Sequence, residues 1–394
     1  MLSLMKAFWP VSMQLKFGPV SIKVIDDGIA TLKALNTKRV ILCPNHPSLL
    51  DADVMFALSD ILKEEFNYLA AHVLFYGHKG LNAFFLQHMG CYPVKRGVPD
   101  FHAFRTTINV LLRGKRKLVI FPEGEVSYDN NSLMTLEPGA AQIALSALDD
   151  LQEIKPGSTI YLVPLAIKYF YRRDITKNLM KSLTKLEDEF GLYAASNIPT
   201  RIHNTAEALL YRLEIQYDCL PQRKMALDER IQNLRIAILQ GLANRLGIKL
   251  PEAIPHLDWV HFLQKALTDF NSGRLQLPEA TSITKHEFIR NANKDIAHVL
   301  NFVSLDRNLP DADSSPEDLA EAIEILEREV FGHAYNKGPR LVLLKVGEPI
   351  NLLNYLATYK QNKKAAIQEV REQVTSKLAS MLNEIERRYV RLYD

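Results

Sequence analysis

Short apolar runs recur between residues 38 and 170 and alternate with stretches whose apolar positions fall three and four apart. Arg39–Cys43, Asn67–Ala71, Cys91–Val94, Lys117–Phe121 and Thr159–Ile167 read as strands, and Asp51–Phe66, Phe101–Arg113 and Pro138–Asp149 as helices. Strand and helix in turn is the pattern of a sheet with helices on its faces. From 174 to 338 the period changes: Ala206, Leu209, Leu210 and Leu213, then Ile231, Leu234, Ile238 and Leu242, mark successive amphipathic helices with almost no strand signal. One helix start is well marked. Ser315 stands as N-cap before Pro316, with Asp318 three residues on and Leu319, Ala322, Ile323, Leu326 and Val330 behind it, and the helix is expected to end near Gly332. Strand character returns at Arg340–Val346, closed by Gly347-Glu-Pro-Ile350, and a last helix carries Val370, Val374, Leu378, Met381, Ile385 and Tyr389. The expected fold class is therefore α/β, a mixed sheet flanked by helices with an inserted all-α domain. Residues 1–37 form an N-terminal membrane-surface or packing segment, 38–173 the first part of the sheet domain, 174–338 the helical insertion, and 339–394 the closing strand and C-terminal helix. Such an insertion is tolerated because the ends of a domain often lie close together.

Composition narrows the class. With 394 residues, 47% hydrophobic and 24% charged, the chain is globular and long enough for two units. A net charge of +3, with no stripe of Lys and Arg interleaved with aromatics, argues against nucleic acid as a partner. Cys43, Cys91 and Cys219 are odd in number and form no CxxC pair, which suits reduced thiols in the cytoplasm and no metal or disulfide framework. His72/His78 and His256/His261 lack metal-ligand spacing. Met1–Phe17 is apolar but interrupted by Lys6, Pro10 and Lys16, too short to span a bilayer and unlike a signal peptide. Residues 1–25 hold Lys6, Lys16 and Lys23, no acid, and Phe8, Trp9 and Phe17, a composition suited to a membrane surface; simple packing on the domain is the equal alternative.

Four short segments carry candidate chemistry. Asn45-His46-Pro47-Ser48-Leu49-Leu50-Asp51 follows the first expected strand, so His46 falls in a turn and Asp51 in the first helical turn. The carboxylate is then placed to hold one ring nitrogen while the other faces a substrate hydroxyl as base. The position, at the carboxyl end of a strand in an open sheet, is where such folds place ligands. Asp53 nearby reads as a capping charge. Gly90-Cys-Tyr-Pro-Val-Lys95-Arg96-Gly97 delivers two cations into a glycine-bounded turn, Arg96 with a donor fork suited to phosphate and Lys95 as a point charge, against the bland reading of a solvated basic turn. Val119-Ile-Phe121-Pro122-Glu123-Gly124 ends an apolar strand in a turn, where the Glu123 carboxylate suits glycerol hydroxyls and Gly124 lets backbone approach a ligand. Tyr161-Leu-Val-Pro164-Leu-Ala-Ile167 has a proline in an apolar run, which reads as an edge, a bulge or a pocket wall. Phe84 and Phe85 fit an acyl groove or plain core packing.

In this order and spacing the four segments resemble the glycerolipid acyltransferase family, which includes lysophosphatidic acid and glycerol-3-phosphate acyltransferases. Asn45-His46 to Asp51 is similar to its catalytic block, Gly90 to Arg96 to its phosphate-binding block, Phe121 to Gly124 to its third and Val163-Pro164 to its fourth. The resemblance covers 38–170 and extends to 339–390. It implies catalysis by His46 and Asp51, and substrate binding by Asn45, Lys95, Arg96, Phe121, Pro122, Glu123, Gly124 and Pro164. The implied reaction is direct transfer of a fatty acyl group from acyl-CoA or acyl carrier protein to a lysophospholipid hydroxyl, with no further cofactor and no metal. The implied partners are the thioester donor, the glycerolipid acceptor and the inner face of a membrane, to which the protein is peripheral. Two departures bear on the acceptor: Glu125 and Val126 stand where many phosphate-acceptor members have Thr and Arg, and Pro93 replaces a common Phe or Leu. A related acyltransferase with an alcohol or amine acceptor, and a catalytically idle lipid-binding module, are the rival readings.

Overall fold

The computed structural model describes residues 18–75, 81–94, 100–194, 197–220, 225–251, 258–278, 283–307 and 309–393. The chain divides into two compact units, one from its first part up to Arg173 together with Gly338 onward, the other over Asp174–Lys337.

The first unit is a mixed sheet of eight strands, β1 (Val20–Val24), β2 (Arg39–Pro44), β3 (Phe66–Ala71), β4 (Cys91–Val94), β5 (Lys117–Val119), β6 (Ile160–Tyr171), β7 (Arg340–Val346) and β8 (Ile350–Asn351). Their order is β1-β7-β6-β2-β5-β3-β4, with β8 beside β6. The pairs from β6 through β2, β5 and β3 to β4 are parallel, as is β1 with β7, whereas β7 and β8 run antiparallel to β6. Helices α1 (Gly28–Ala34), α2 (Asp51–Leu62), α3 (Leu81–His88), α4 (Phe101–Arg113) and α5 (Gly139–Ile154) lie between strands in sequence, and a long C-terminal helix spans Lys363–Tyr393.

The period of two sorts each strand between two cores. Val40 and Leu42 of β2, with Leu165, Ile167 and Tyr169 of β6, pack with Leu32 of α1 and Val54, Met55 and Leu58 of α2. Ile41 and Cys43, with Ala166 and Phe170, turn to the other face against Leu111 of α4, Ala144 and Leu148 of α5, and Val370 and Leu378 of the C-terminal helix. A sheet covered on both faces explains why β2 and β6 read as unbroken apolar runs.

Three expectations are corrected here, and a fourth, at Pro164, is narrowed to one of its alternatives. Val20–Val24, inside the segment read as a surface or packing element, is a strand that pairs Val20 with Arg340 and Val24 with Leu344; Met1–Phe17, the proposed attachment segment, lies outside the described residues. Helix α2 stops at Leu62, not Phe66, because Lys63 turns left-handed at φ 57 and closes it. Strand β6 continues to Tyr171 because Lys168–Tyr171 keep pairing with Arg340–Leu343 of β7. Pro164 is not at an edge, since β6 has neighbours on both sides. It sits at a bulge: from Leu165↔Val346 to Leu162↔Ile350 the β7–β8 side advances four residues against three, and the Gly347 N–H donates to the Pro164 carbonyl.

The second unit holds α6 (Thr176–Phe190), α7 (Ile198–Gln216), α8 (Leu227–Leu246), α9 (Asp258–Asn271), α10 (Lys285–Arg307) and α11 (Pro316–Phe331). Ser315 and Asp318 make a reciprocal capping box at the start of α11, and Gly332, at φ 76, ends it. Three buried pairs of opposite charge lie among the described residues of this unit: Arg201 with Glu187, Arg230 with Glu214, and Lys337 with Glu327. Among the described residues of the chain, no helix is long and apolar enough to cross a membrane.

Candidate active site

Strand β2 ends at Pro44, and the next seven residues turn the chain into α2. Asn45 continues the strand's work with its side chain. Its amide donates to the Ile167 carbonyl at 3.0 Å and accepts the Ile167 N–H at 2.7 Å, so it occupies the place of a further β2 residue beside β6. This buried amide is committed to the backbone, which corrects its expected role in binding substrate: it aims the turn that presents His46.

His46 Nδ1 lies 2.8 Å from Oδ2 of Asp51, and the same oxygen accepts the Ser48 N–H at 2.8 Å. The Asp51 side chain is 0% exposed and the His46 side chain 13%, so the pair is buried at the acid and open at the base. With Nδ1 engaged, Nε2 is the ring nitrogen left for a substrate. The ring stacks on Phe121 with centroids 4.1 Å apart. Phe121 thus acts on the imidazole as a shelf. Burial pushes the Asp51 carboxyl above its ordinary range, while hydrogen bonds from His46, Tyr169 and Ser48 oppose that rise. The carboxylate also stands in the first turn of α2, where the helix end favours negative charge.

Glu123 is likewise more committed than the sequence suggested. Its Oε1 accepts the His46 N–H at 2.6 Å and its Oε2 the Met134 N–H at 2.9 Å, in a buried position. The expected hydroxyl acceptor is therefore a clamp between the His46 turn and the loop that follows β5. Burial raises its carboxyl above the usual value, and the two backbone donors and His46 counteract it. The turn it belongs to closes with Gly124 N–H donating to the Phe121 carbonyl, and Gly124 takes φ +75, where a Cβ would also meet Glu137 at 3.3 Å. The buried Pro122 offers its carbonyl to the Glu137 N–H at 2.7 Å. On the other side of His46, Ser127 N–H donates to the His46 carbonyl at 2.8 Å. The base is thus held at its own N–H and its own carbonyl by two points of one loop.

Three residues of this arrangement escaped the sequence reading: Ser127, Asn130 and Tyr169. The hydroxyl of Tyr169 contacts Asp51 Oδ1, and Asn130 brackets the Tyr169 backbone, accepting its N–H and donating to its carbonyl, both at 2.8 Å. The signal for Tyr169 was the period of two in β6, which places it with Leu165 and Ile167 on the face toward α2. Lys95 and Arg96, the expected phosphate ligands, lie outside the described residues. Pro164 stands in β6 beside Cys43 of β2, opposite the bulge on the β7–β8 side. Cys43, three residues before His46, is fully buried, and burial pushes its thiol up to about 12. It is no competing nucleophile.

A buried acid and a part-buried histidine thus stand at the carboxyl end of a parallel strand, with a Pro-Glu-Gly turn beside them. Residues 26–168 match the family model described as Acyltransferase, so this stretch of the chain is an acyltransferase domain of the glycerolipid acyltransferase family. The match contains His46, Asp51 and Glu123 and stops one residue short of Tyr169. A search of curated proteins found no match to the chain.

Proposed function

We propose that the protein transfers a fatty acyl group from a thioester, acyl-CoA or acyl carrier protein, to the free hydroxyl of a lysophospholipid of the 1-acylglycerol-3-phosphate type in phospholipid synthesis. The observation that carries this reading is the 2.8 Å contact of His46 Nδ1 with a fully buried Asp51 on a family-matched domain. Nε2 of His46 removes the acceptor's hydroxyl proton as the oxygen attacks the thioester carbonyl. The tetrahedral oxyanion then collapses, the C–S bond breaks, and the imidazolium returns the proton to the leaving thiolate. Asp51 holds the tautomer and stabilises the imidazolium. The acyl group passes directly, without an enzyme-bound ester.

Exposed apolar side chains support a lipid substrate. Leu49 in the His46 turn, Leu74 just after β3 and Phe101 at the start of α4 stand on segments that follow the carboxyl ends of β2, β3 and β4. In this reading Lys95 and Arg96 hold the acceptor phosphate, Met1–Phe17 with Lys23 binds the inner face of the membrane from the cytoplasm, and 174–338 is an insertion in the acyltransferase domain. Glu125 and Val126 favour a second reading, an alcohol or amine acceptor without phosphate.

Release of thiol from acyl-CoA and from acyl carrier protein, measured against phosphorylated and dephosphorylated acceptors, tests both readings. His46→Ala is expected to lower kcat by about 10²–10⁴-fold with the fold intact. Near-full activity of that variant would remove the central claim, and equal rates on dephosphorylated acceptors would select the second reading.

A further inference from the structure

We propose that Tyr169 is a positioning residue of the His46–Asp51 pair, its hydroxyl orienting the Asp51 carboxylate and weakening that carboxylate's pull on the pair's proton. The inference rests on the reading of His46 as the base and deepens it. Asp51 has two oxygens to place. Oδ2 receives His46 and the Ser48 N–H, and Oδ1 faces β6, where the Tyr169 hydroxyl meets it. With donors on one oxygen only, the carboxylate could turn about its last bond and lose the line to His46. Contacts on both oxygens fix that rotation, and with it the direction of the imidazole.

The hydroxyl is delivered by rigid structure. Tyr169 pairs with Val342 of β7 on one side of β6, and Asn130 satisfies its N–H and carbonyl on the other. Its ring lies in the core that also holds Val54 and Met55 of α2. Backbone and ring are therefore fixed independently of the hydroxyl, and a Phe would pack there equally well. Burial and the neighbouring Asp51 charge raise the phenol well above its ordinary range, so it keeps its proton and donates. The other charged groups facing the cluster are Glu123 beside His46 and Asp51, and Asp53 and Arg340 beside Tyr169. Tyr169→Phe leaves all of them in place, so their fields cancel in a comparison.

The hydroxyl's removal takes a donor from the anionic state of the pair. The protonated state is then favoured whichever of the two groups carries the proton. In the full chain, Tyr169→Phe is expected to move the acid limb of the kcat profile upward by about one pH unit, ~1.4 kcal/mol, with the acceptor KM unchanged. A merely structural tyrosine would change the melting point without moving that limb. 3-Fluorotyrosine at 169 keeps ring and hydroxyl but donates more strongly, and should move the limb downward.

Proton uptake is also read without turnover, from histidine-labelled protein by NMR, with the His46 signals assigned by their loss in His46→Ala. If the wild type transfers no acyl group, the functional reading fails while the titration still decides the role of Tyr169. Coincident midpoints for wild type and Tyr169→Phe, or a downward move, would overturn the proposal. Should Tyr169→Phe fail to fold, the fluorotyrosine protein decides alone: a downward shift supports the role, and an unchanged midpoint ends it.

Discussion

Replacing Glu123 by glutamine changes one atom and poses a problem the loop cannot solve. Two part-buried backbone N–H groups, those of His46 and Met134, each require an acceptor, and glutamate supplies one oxygen to each. Glutamine has one oxygen and one NH₂, so in either orientation one backbone N–H faces another donor. A hydrogen bond to a charged acceptor is worth about 1.5–3 kcal/mol, and a buried donor left unmet costs about 1–3 kcal/mol. Against this, the neutral amide avoids the desolvation that raises the Glu123 carboxyl. A net loss of about 1.5–3 kcal/mol follows, a fall in melting midpoint of roughly 3–10 °C for a unit of this size. The pH dependence has a definite sign. Because the folded value lies above the ordinary 4.5, the native state still holds a proton that the unfolded chain has released, and stability falls as pH rises across that window. Glutamine lacks this contribution, so the gap between wild type and Glu123→Gln should narrow as pH rises from about 4.5 toward the folded value. Scanning calorimetry of both over a pH series measures the gap. Equal midpoints throughout would refute the clamp, and a gap that widens with pH would show that its hydrogen bonds outweigh the burial of the carboxyl.

Two further outcomes follow from the packing. At Gly90, with φ +86, a Cβ would lie 2.3 Å from the Phe66 carbonyl oxygen, so Gly90→Ala should cost more than about 1 kcal/mol and separate β4 from β3; a wild-type melting curve would contradict this. Lys337 and Glu327 are both fully buried, so Lys337→Met strands the carboxylate and should cost about 3–5 kcal/mol, whereas Lys337→Met with Glu327→Leu recovers most of it in thermal unfolding.

How much was legible in the sequence depended on how local the cause was. The His46–Asp51 contact is made within the six-residue turn between a strand and a helix, and the spacing together with that strand-to-helix context implied it. The Ser315 cap and the Gly332 stop were equally local and equally readable. Glu123 was found, but its partners were not: a carboxylate at the end of an apolar run is conspicuous, while the two amides that claim it come from 77 residues before and 11 after. Asn45 had the same fate, its partner Ile167 being 122 residues away. Strand β1 was hidden for another reason. Val20–Val24 carries Ser21 and Lys23 in alternation with Val20, Ile22 and Val24, a weak edge-strand pattern whose pairing partner begins at Arg340.

That last pairing has a consequence for the order in which the sheet is made. Strand β7 lies between β1 and β6, so residue 20 cannot find its neighbour until residue 340 has left the ribosome. At about 5–20 residues per second the delay is on the order of tens of seconds, long compared with the formation of a helix or a hairpin. From the synthesis of Tyr171 until that of β7, the Tyr161–Tyr171 side of β6 that later receives β7 and β8 is an open strand edge, able to pair with another nascent chain. Completion of the sheet is thus a late, long-range event, and the synthesis of this protein carries an aggregation hazard that its finished fold no longer shows.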